Sequence, residues 1–180
     1  TELYTKAKEK GIHTWLDTSG IMYPKKHTGT DQICEREISL TGISENMASD
    51  RMEKIEQLMS VTDLVMLDIK HINNEEHQHL TGQSNSNILA FARYLDSIGK
   101  PVWIRHVVVP GIRFDEKELT ELGLFLKTLH NVEKLEVLPY HSMGKVKYDN
   151  LGMDYVLKDT PQLTKAEAKE AERIIRAAME

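Results

Sequence analysis

Residues 64–69 read LVMLDI, an apolar run that is broken only by Asp68 near its end. A run of this kind is typical of a strand that is buried on both faces, as in a parallel sheet covered by helices. A second stretch, PVWIRHVVV at 101–109, is rich in β-branched and aromatic residues and is closed by Pro110-Gly111. The two stretches predict two core strands of an α/β fold.

Helical periodicity separates the strand patterns along the chain. We predict strands at 12–17, 64–69, 101–109 and 135–138, and helices at 1–10, 50–59, 87–98, 115–129 and from 164 onward. Strands that alternate with helical crossovers indicate a parallel sheet with outer helices. Because 180 residues are too few for a closed eight-stranded barrel, we expect a partial (β/α) barrel, or a small open sheet, of about four or five strands.

The length allows one domain, 1–180. Two long polar connections, 24–49 and 142–160, interrupt the alternation. Connections longer than about 12–15 residues are uncommon unless they are functional or disordered. We therefore interpret 24–49 as an inserted polar loop, in which 38–43 has the pattern of a short extra strand.

The composition excludes several classes of protein. With 40% hydrophobic residues the chain can build a core, and its net charge of −5 does not favour a nucleic-acid partner. No apolar run reaches the roughly 18–20 residues of a membrane span. Cys34 is the single cysteine, which excludes an internal disulfide and any site of several thiolates, and which suits a cytoplasmic protein.

Polar residues gather at the predicted carboxyl ends of the strands, where parallel α/β sheets carry their chemistry. They are Asp17, Thr18, Asp68, Lys70 and His141, and Arg105 lies inside the apolar run of the third strand. Each has an ordinary structural explanation by itself, such as a helix cap, a surface position or an ion pair. Together, the oxygen-bearing residues are suitable ligands for a cation, and the basic residues suit an anionic or carboxylate-bearing ligand.

Four segments at these strand ends together resemble the activating enzymes of pyruvate formate-lyase, which are radical S-adenosylmethionine proteins. The segments are GIHTWLDTSG (11–20), VTDLVMLDIKH (61–71), VWIRHVVVPG (102–111) and NVEKLEVLPYHSMGKVKY (131–148). The similarity runs through most of 3–23 and 52–156.

The resemblance implies a partial barrel that binds S-adenosylmethionine on a 4Fe-4S cluster. Such an enzyme is an oxidoreductase of anaerobic metabolism that cleaves its cofactor reductively and takes a hydrogen atom from a glycine of a glycyl radical enzyme. It also implies pyruvate formate-lyase as the partner, and a reductant such as flavodoxin.

The resemblance also assigns roles to individual residues. The cofactor would contact Asp68, Ile69, Lys70 and His141. A monovalent cation would lie among Asp17, Thr18, Met66 and Asp68. Arg105 would line the pocket near the glycyl substrate loop.

Other family features have no counterpart in this chain. The family holds its cluster through a CxxxCxxC motif, and one cysteine cannot supply three thiolates. The glycine-glycine-glutamate motif is also unmatched, and the first strands of the barrel are missing. We therefore expect the C-terminal portion of an activating enzyme, without a cluster and inactive alone. An unpaired sheet edge beside strand 12–17 would favour self-association, or covering by 24–49.

Two alternatives remain open. In the first alternative, the chain is a non-catalytic module that docks on a glycyl radical enzyme. In the second, it is a lyase that uses Lys70 as a Schiff-base nucleophile.

Overall fold

The computed structural model describes residues 1–24, 45–110, 115–155, 157 and 160–180. The helices are α1 (Glu2–Glu9), α2 (Glu45–Ser60), α3 (Asn74–Thr81), α4 (Ser86–Ser97), α5 (Glu116–Lys127), α6 (Lys145–Asn150) and α7 (Lys165–Met179), with a 3-10 turn at Ser142–Gly144. The strands are β1 (Trp15–Thr18), β2 (Leu64–Asp68), β3 (Val102–Val108) and β4 (Val132–Pro139).

The four strands form one parallel sheet in the order β1-β2-β3-β4. This confirms the predicted α/β class with a parallel sheet and outer helices. Asp17 on β1 lies opposite Met66 on β2, and Asp68 on β2 lies opposite Arg105 on β3. Residues opposite each other present their side chains on the same face of the sheet.

One face of the sheet packs against the helices. Along β3 the alternate residues Val102, Ile104 and Val108 are fully buried and join the hydrophobic core, as do Val65 and Leu67 of β2. The other set of alternate positions forms what we call the open face, which carries Trp15, Asp17, Asp68, Trp103 and Arg105. Because the open face holds the polar residues predicted from the strand ends, the core is built on the opposite side from the chemistry.

The start of α2 corrects the predicted loop boundary. The helix begins at Glu45, so residues 45–49 belong to it and not to the loop expected at 24–49. Residues 45–49 precede the apolar positions from which the helix was predicted at 50–59. The remainder of the insertion, including the possible strand at 38–43, lies outside the described residues.

Asp115 and Glu118 have the sequence spacing of a capping box at the start of α5, which predicts two reciprocal hydrogen bonds. The structure contradicts this prediction. The side chain of Asp115 does accept a hydrogen bond, from the amide of Lys117 at 2.8 Å. Glu118, however, pairs with Nε2 of His71 at 2.9 Å. His71 is 2% exposed, and a buried imidazole needs a polar partner more than an exposed helix terminus does.

Thr164 and Glu167 have the same spacing at the start of α7 and predict a second capping box, which the structure confirms. Oγ1 of Thr164 accepts from the amide of Glu167 at 3.2 Å, and the Glu167 carboxylate accepts from the amide of Thr164 at 2.8 Å. These two bonds satisfy amide groups that have no partner inside the helix.

Replacing Thr164 by alanine should lower the free energy of unfolding by about 1 kcal/mol, because one of these amides loses its acceptor. Urea unfolding measures the change. Thr120→Ala is the matched control: its hydroxyl bonds to the Glu116 carbonyl inside α5, where alanine is the better helix former. Equal losses in the two variants would contradict the capping role.

The β1 edge of the sheet is partly satisfied from within the chain. The hydroxyl of Tyr4 on α1 donates a hydrogen bond to the carbonyl of Trp15. At the start of β1, Thr14 is tied to β2 because its amide donates to the Asp63 carboxylate at 2.8 Å. Self-association through this edge stays a prediction, and one of the acceptors it would use is already engaged.

Within the described ranges, none of the helices combines the length and the apolar character that crossing a bilayer requires.

Candidate functional site

Four of the predicted site residues form one connected set of ion pairs, which we call the rim network: Asp17, Asp68, Lys70 and Arg105. Arg105 Nε donates to Asp68 Oδ1 at 2.5 Å, and its Nη2 donates to Asp17 Oδ1 at 2.8 Å. Lys70 Nζ donates to the second carboxylate oxygen of Asp68 at 2.7 Å. Residues from three adjacent strands therefore meet: Asp17 and Asp68 lie at or next to the carboxyl ends of β1 and β2, and Arg105 lies in the middle of β3.

The register of the sheet explains this geometry. Arg105 lies directly opposite Asp68, so their pairing follows from neighbouring positions on β2 and β3. Asp17 is one strand further away and opposite Met66, so the guanidinium reaches across the open face near Met66. Met66 is only 4% exposed although it belongs to the open face.

The members of the rim network differ in how exposed their side chains are. The side chain of Asp68 is 13% exposed, those of Arg105 and Lys70 are 24% and 35% exposed, and that of Asp17 is 54% exposed. Asp68 is thus the buried centre, and Lys70 and Asp17 face solvent on either side of it. The network holds two carboxylates and two cations.

The partners of Asp68 decide its ionisation. Burial raises the pKa of Asp68, but hydrogen bonds from Arg105 and Lys70 outweigh burial and hold that pKa below its ordinary value. The hydrogen bond to Asp68 raises the pKa of Arg105, with a further contribution from Asp17. All the charges that the geometry implies for Asp68 and Arg105 are therefore present at neutral pH.

The other predicted site residues lie apart from the rim network. Thr18 is in register with Leu67 and therefore belongs to the helix-facing side, where its Oγ1 accepts from the amide of Gly20 at 3.0 Å. The side chain of Ile69 is fully buried in the core. His141 follows β4 at the same rim but is exposed, and among the described residues its imidazole makes no hydrogen bond or ion pair.

The carboxylates that were expected to share a monovalent cation share the Arg105 guanidinium. In the described part of the chain, no group of three or more His, Cys, Asp or Glu residues has a geometry that could hold a metal ion. A cation at Asp17 and Asp68 would have to displace or rearrange Arg105.

A cleft of about 360 Å³ lies at the opposite, amino-terminal end of the strands. Its walls include Trp15 and Trp103, whose ring centroids are 6.1 Å apart. Lys134 Nζ lies 4.4 Å from the Trp103 ring centroid, a distance typical of a cation–π contact. The sequence reading missed this aromatic pair, which alternation along β1 and β3 would have placed on one face.

A second group of polar residues is buried behind the open face and was missed as a group. His71, Asn85 and His106 are 2%, 3% and 4% exposed, and Glu118 pairs with His71. The sequence signal was the presence of histidines within and directly after apolar strand runs. Nothing in the sequence indicated that Asn85 or Glu118 would contact these histidines or the residues next to them.

Comparison with known proteins gives relatives of one kind. The chain is 43% identical over 173 residues to a pyruvate formate-lyase-activating enzyme of Streptococcus mutans, a match that covers 96% of this chain and 57% of the relative. It is 40% identical over 174 residues to the enzyme of the same name from Staphylococcus epidermidis, covering 97% and 61%. The chain thus spans little more than half the length of the curated relatives it matches. No protein-family model matches it.

Two solved structures share the fold. A domain of a pyruvate formate-lyase-activating enzyme from Bacteroides vulgatus superposes with a TM-score of 0.67 at 18% identity, over 98% of this chain and 83% of the other. A radical SAM methyltransferase from Sphaerobacter thermophilus gives a TM-score of 0.52 at 14% identity, over 98% and 52%. These two likenesses confirm the fold class expected from the sequence, a partial (β/α) barrel.

Proposed function

We propose that this chain, a homologue of the pyruvate formate-lyase-activating enzymes, forms the part of such an enzyme that binds the amino-acid end of S-adenosylmethionine and faces the glycine-bearing substrate loop. One observation carries the proposal. Three adjacent strands bring two carboxylates and two cations into one network on the open face.

The chemistry of these groups fits the proposed ligand. The amino-acid end of S-adenosylmethionine carries one ammonium and one carboxylate, so it needs both acceptors and donors. Asp68 accepts hydrogen bonds, and Lys70 and Arg105 are charged donors suited to a carboxylate. When bound, the cofactor would supply a sulfonium-activated carbon–sulfur bond. The residues of this chain hold and orient the ligand, with Arg105 nearest to the proposed substrate loop.

The residues of this chain do not fit a 4Fe-4S cluster. A cluster of that kind is held by cysteine thiolates, and Cys34 is the single cysteine in 180 residues. We therefore assign no reductive step to this chain and propose that it is inactive alone. In the proposed enzyme the remaining length of the relatives supplies the iron ligands. A flavodoxin-like reductant, pyruvate formate-lyase as partner and the cytoplasm complete the proposal.

The two alternatives differ in what the rim network does. A module that only docks on a glycyl radical enzyme would use the rim as a contact surface, without a ligand. A Schiff-base lyase needs a neutral, desolvated amine, whereas Lys70 is partly exposed and ion-paired with Asp68. The ion pair favours the ligand-binding role over the lyase.

Titration of the chain with S-adenosylmethionine, followed by NMR chemical shifts, tests the proposal. We expect weak binding, because a cluster that would anchor the cofactor is absent. Lys70→Met should weaken binding about tenfold, the usual worth of one charge-assisted hydrogen bond. Lys134→Met is the matched control on the same face and should leave the affinity unchanged.

Two results would contradict the proposal. Shifts confined to residues outside the rim, or equal losses in the Lys70 and Lys134 variants, would remove the assigned pocket. A 4Fe-4S absorption or EPR signal after anaerobic reconstitution of the isolated chain, or 5′-deoxyadenosine formed by it, would overturn the predicted inactivity.

A further inference from the structure

We infer that four buried polar side chains, His71, Asn85, His106 and Glu118, act as positioning residues for the segment 68–70. We call these four residues the polar cradle. The inference rests on the proposed function only in naming what the segment binds. The contacts that define the cradle lie behind the sheet and do not involve the open face.

The first part of the cradle holds Ile69. As the chain leaves β2, the amide of Ile69 donates to the carbonyl of Arg105 at 3.0 Å. Its carbonyl lies 2.8 Å from Nδ1 of His106, which must therefore be the protonated nitrogen of that ring. Both main-chain groups of the residue between Asp68 and Lys70 are thus fixed to β3.

The second part holds the residues that follow. Nδ2 of Asn85 donates to the carbonyls of His71 and Ile72, at 3.1 and 2.7 Å. Asn85 precedes α4, so one side chain ties the segment to the start of that helix. The carbonyls on both sides of Lys70, at Ile69 and His71, are therefore held by buried side chains.

The third part is the His71 ring itself. Its Nδ1 accepts from the amide of Asn73 at 3.1 Å, so its Nε2 carries the proton that faces Glu118 at 2.9 Å. This contact connects the segment after β2 to α5. The space left between His71, His106 and Glu118 is about 10 Å³, no more than one water molecule needs, so the ring has little room to reorient.

The free-energy cost of burying polar side chains is the reason for assigning the polar cradle a positioning role. Main-chain groups that leave a sheet lose their ladder partners and must be exposed or find others. Exposure to water would satisfy them at the least cost, whereas burying polar side chains for this purpose costs free energy unless every bond is made. Here the bonds are made from β3, α5 and the residue before α4, which fixes the segment from three sides.

Fixing the backbone around Lys70 fixes where its amine can reach. Lys70 has a flexible side chain, yet it meets Asp68 only two residues away, which requires a defined backbone between them. Arg105 shares the same clamp, because its carbonyl accepts a hydrogen bond from the Ile69 amide while its guanidinium donates one to the Asp68 carboxylate. The cradle therefore sets the geometry of the rim network from behind.

The test compares removal of a cradle bond with its conservative replacement. His106→Leu removes the donor to Ile69, and His106→Asn keeps a donor at about the same reach. Glu118→Leu and Glu118→Gln form the second pair, in which Gln keeps an acceptor for His71. Ile175→Val is the control, because it weakens the core at a fully buried position of α7.

Two readouts report on the segment and not on global stability. In the Leu variants we expect amide exchange of residues 69–73 to accelerate at least tenfold, and the carboxyl titration of Asp68, followed by ¹³C NMR, to move up towards the ordinary aspartate value. His106→Asn and Glu118→Gln should keep both the amide exchange of residues 69–73 and the Asp68 titration close to those of the parent protein. Ile175→Val should lower the thermal midpoint and leave the Asp68 titration unchanged.

The inference is overturned if the Leu variants keep the parent's Asp68 titration and local exchange, or if Ile175→Val alters the titration equally. Should His106→Leu fail to fold, the Glu118 pair decides, since Glu118 is partly exposed and tolerates substitution better. These measurements need no S-adenosylmethionine. A cradle effect without cofactor binding would therefore defeat the proposed function and leave the positioning role standing.

Discussion

An alanine in place of Gly123 should destabilise the protein by about 2 kcal/mol, although alanine is the better helix former by about 1 kcal/mol. Gly123 lies on α5 where this helix packs against α7. A Cβ atom there would come within 2.4 Å of the carbonyl oxygen of Ile175 and 2.6 Å of Cβ of Ala178. The first of these is a backbone atom and cannot rotate away, so overpacking of up to about 3 kcal/mol exceeds the propensity gain.

Urea unfolding of Gly123→Ala measures this balance. The matched control is Gly144→Ala, because a Cβ atom at that position meets only the Tyr155 hydroxyl, at 3.7 Å, and should change stability by less than about 0.5 kcal/mol. A neutral or stabilising result at Gly123 would show that α5 and α7 are further apart than described. Since α5 also carries Glu118, the same substitution should disturb the contact with His71.

The sheet could be predicted from the sequence because its strands have strong local signals. The unbroken apolar run of β2 and the β-branched run of β3 leave few alternatives, and both strands appear within one residue of the predicted bounds at their starts. β1 is weaker: it was expected from residue 12 and begins at Trp15. Three of the four residues before that start are polar or glycine, and tertiary contacts, such as Thr14 with Asp63, decide where pairing begins.

The rim network was predictable to the same extent as the topology. Once the strands are parallel and adjacent, the residues at their carboxyl ends share one edge, which brings Asp17, Asp68 and Lys70 near one another. Arg105 joins them from the middle of β3, because it lies opposite Asp68. Thr18 shows the limit of this rule. It is next to Asp17 in sequence, but alternation along a strand turns neighbouring side chains to opposite faces of the sheet. Position at a strand end therefore does not by itself place Thr18 on the same face as Asp17.

The polar cradle could not have been assembled from the sequence. Asn85 stands two residues before the predicted helix 87–98, and Glu118 has the spacing of half a capping box, so each position suggests only a local role. Their actual partners are distant in sequence. Asn85 bonds to the carbonyl of Ile72, 13 positions away, and Glu118 pairs with His71, 47 positions away. Only the tertiary arrangement shows that a buried imidazole takes precedence over a cap.

Replacing Arg105 by methionine should remove the guanidinium that joins both carboxylates of the rim network and lower the free energy of unfolding by about 2 kcal/mol at pH 7. Breaking a fully buried ion pair costs about 3–5 kcal/mol because a charge is left without compensation. The cost is smaller here, because Arg105 and Asp68 are partly exposed and Lys70 still pairs with Asp68. Arg105→Lys should be intermediate, since an ammonium cannot bridge Asp68 and Asp17 as a guanidinium does.

The pH dependence identifies Asp68 as the source of this loss. Its folded pKa is depressed, so its stabilising contribution is complete above the unfolded aspartate pKa of about 3.9 and is lost as the pH falls through the lower folded pKa. In Arg105→Met the depression is relieved. The stability gap between parent and variant should therefore be full at pH 7 and shrink progressively below about pH 5.

Lys134→Met separates this effect from the loss of any cation on the open face. Lys134 is 43% exposed and pairs with Glu136 on the same face, so its removal should cost no more than about 1 kcal/mol. Urea unfolding of both variants between pH 3 and pH 7 makes the comparison. A gap for Arg105→Met that stays constant over this range would mean that lost packing, and not the charge of Asp68, is responsible. The rim would then lack the electrostatic coupling on which its proposed binding of a zwitterionic ligand depends.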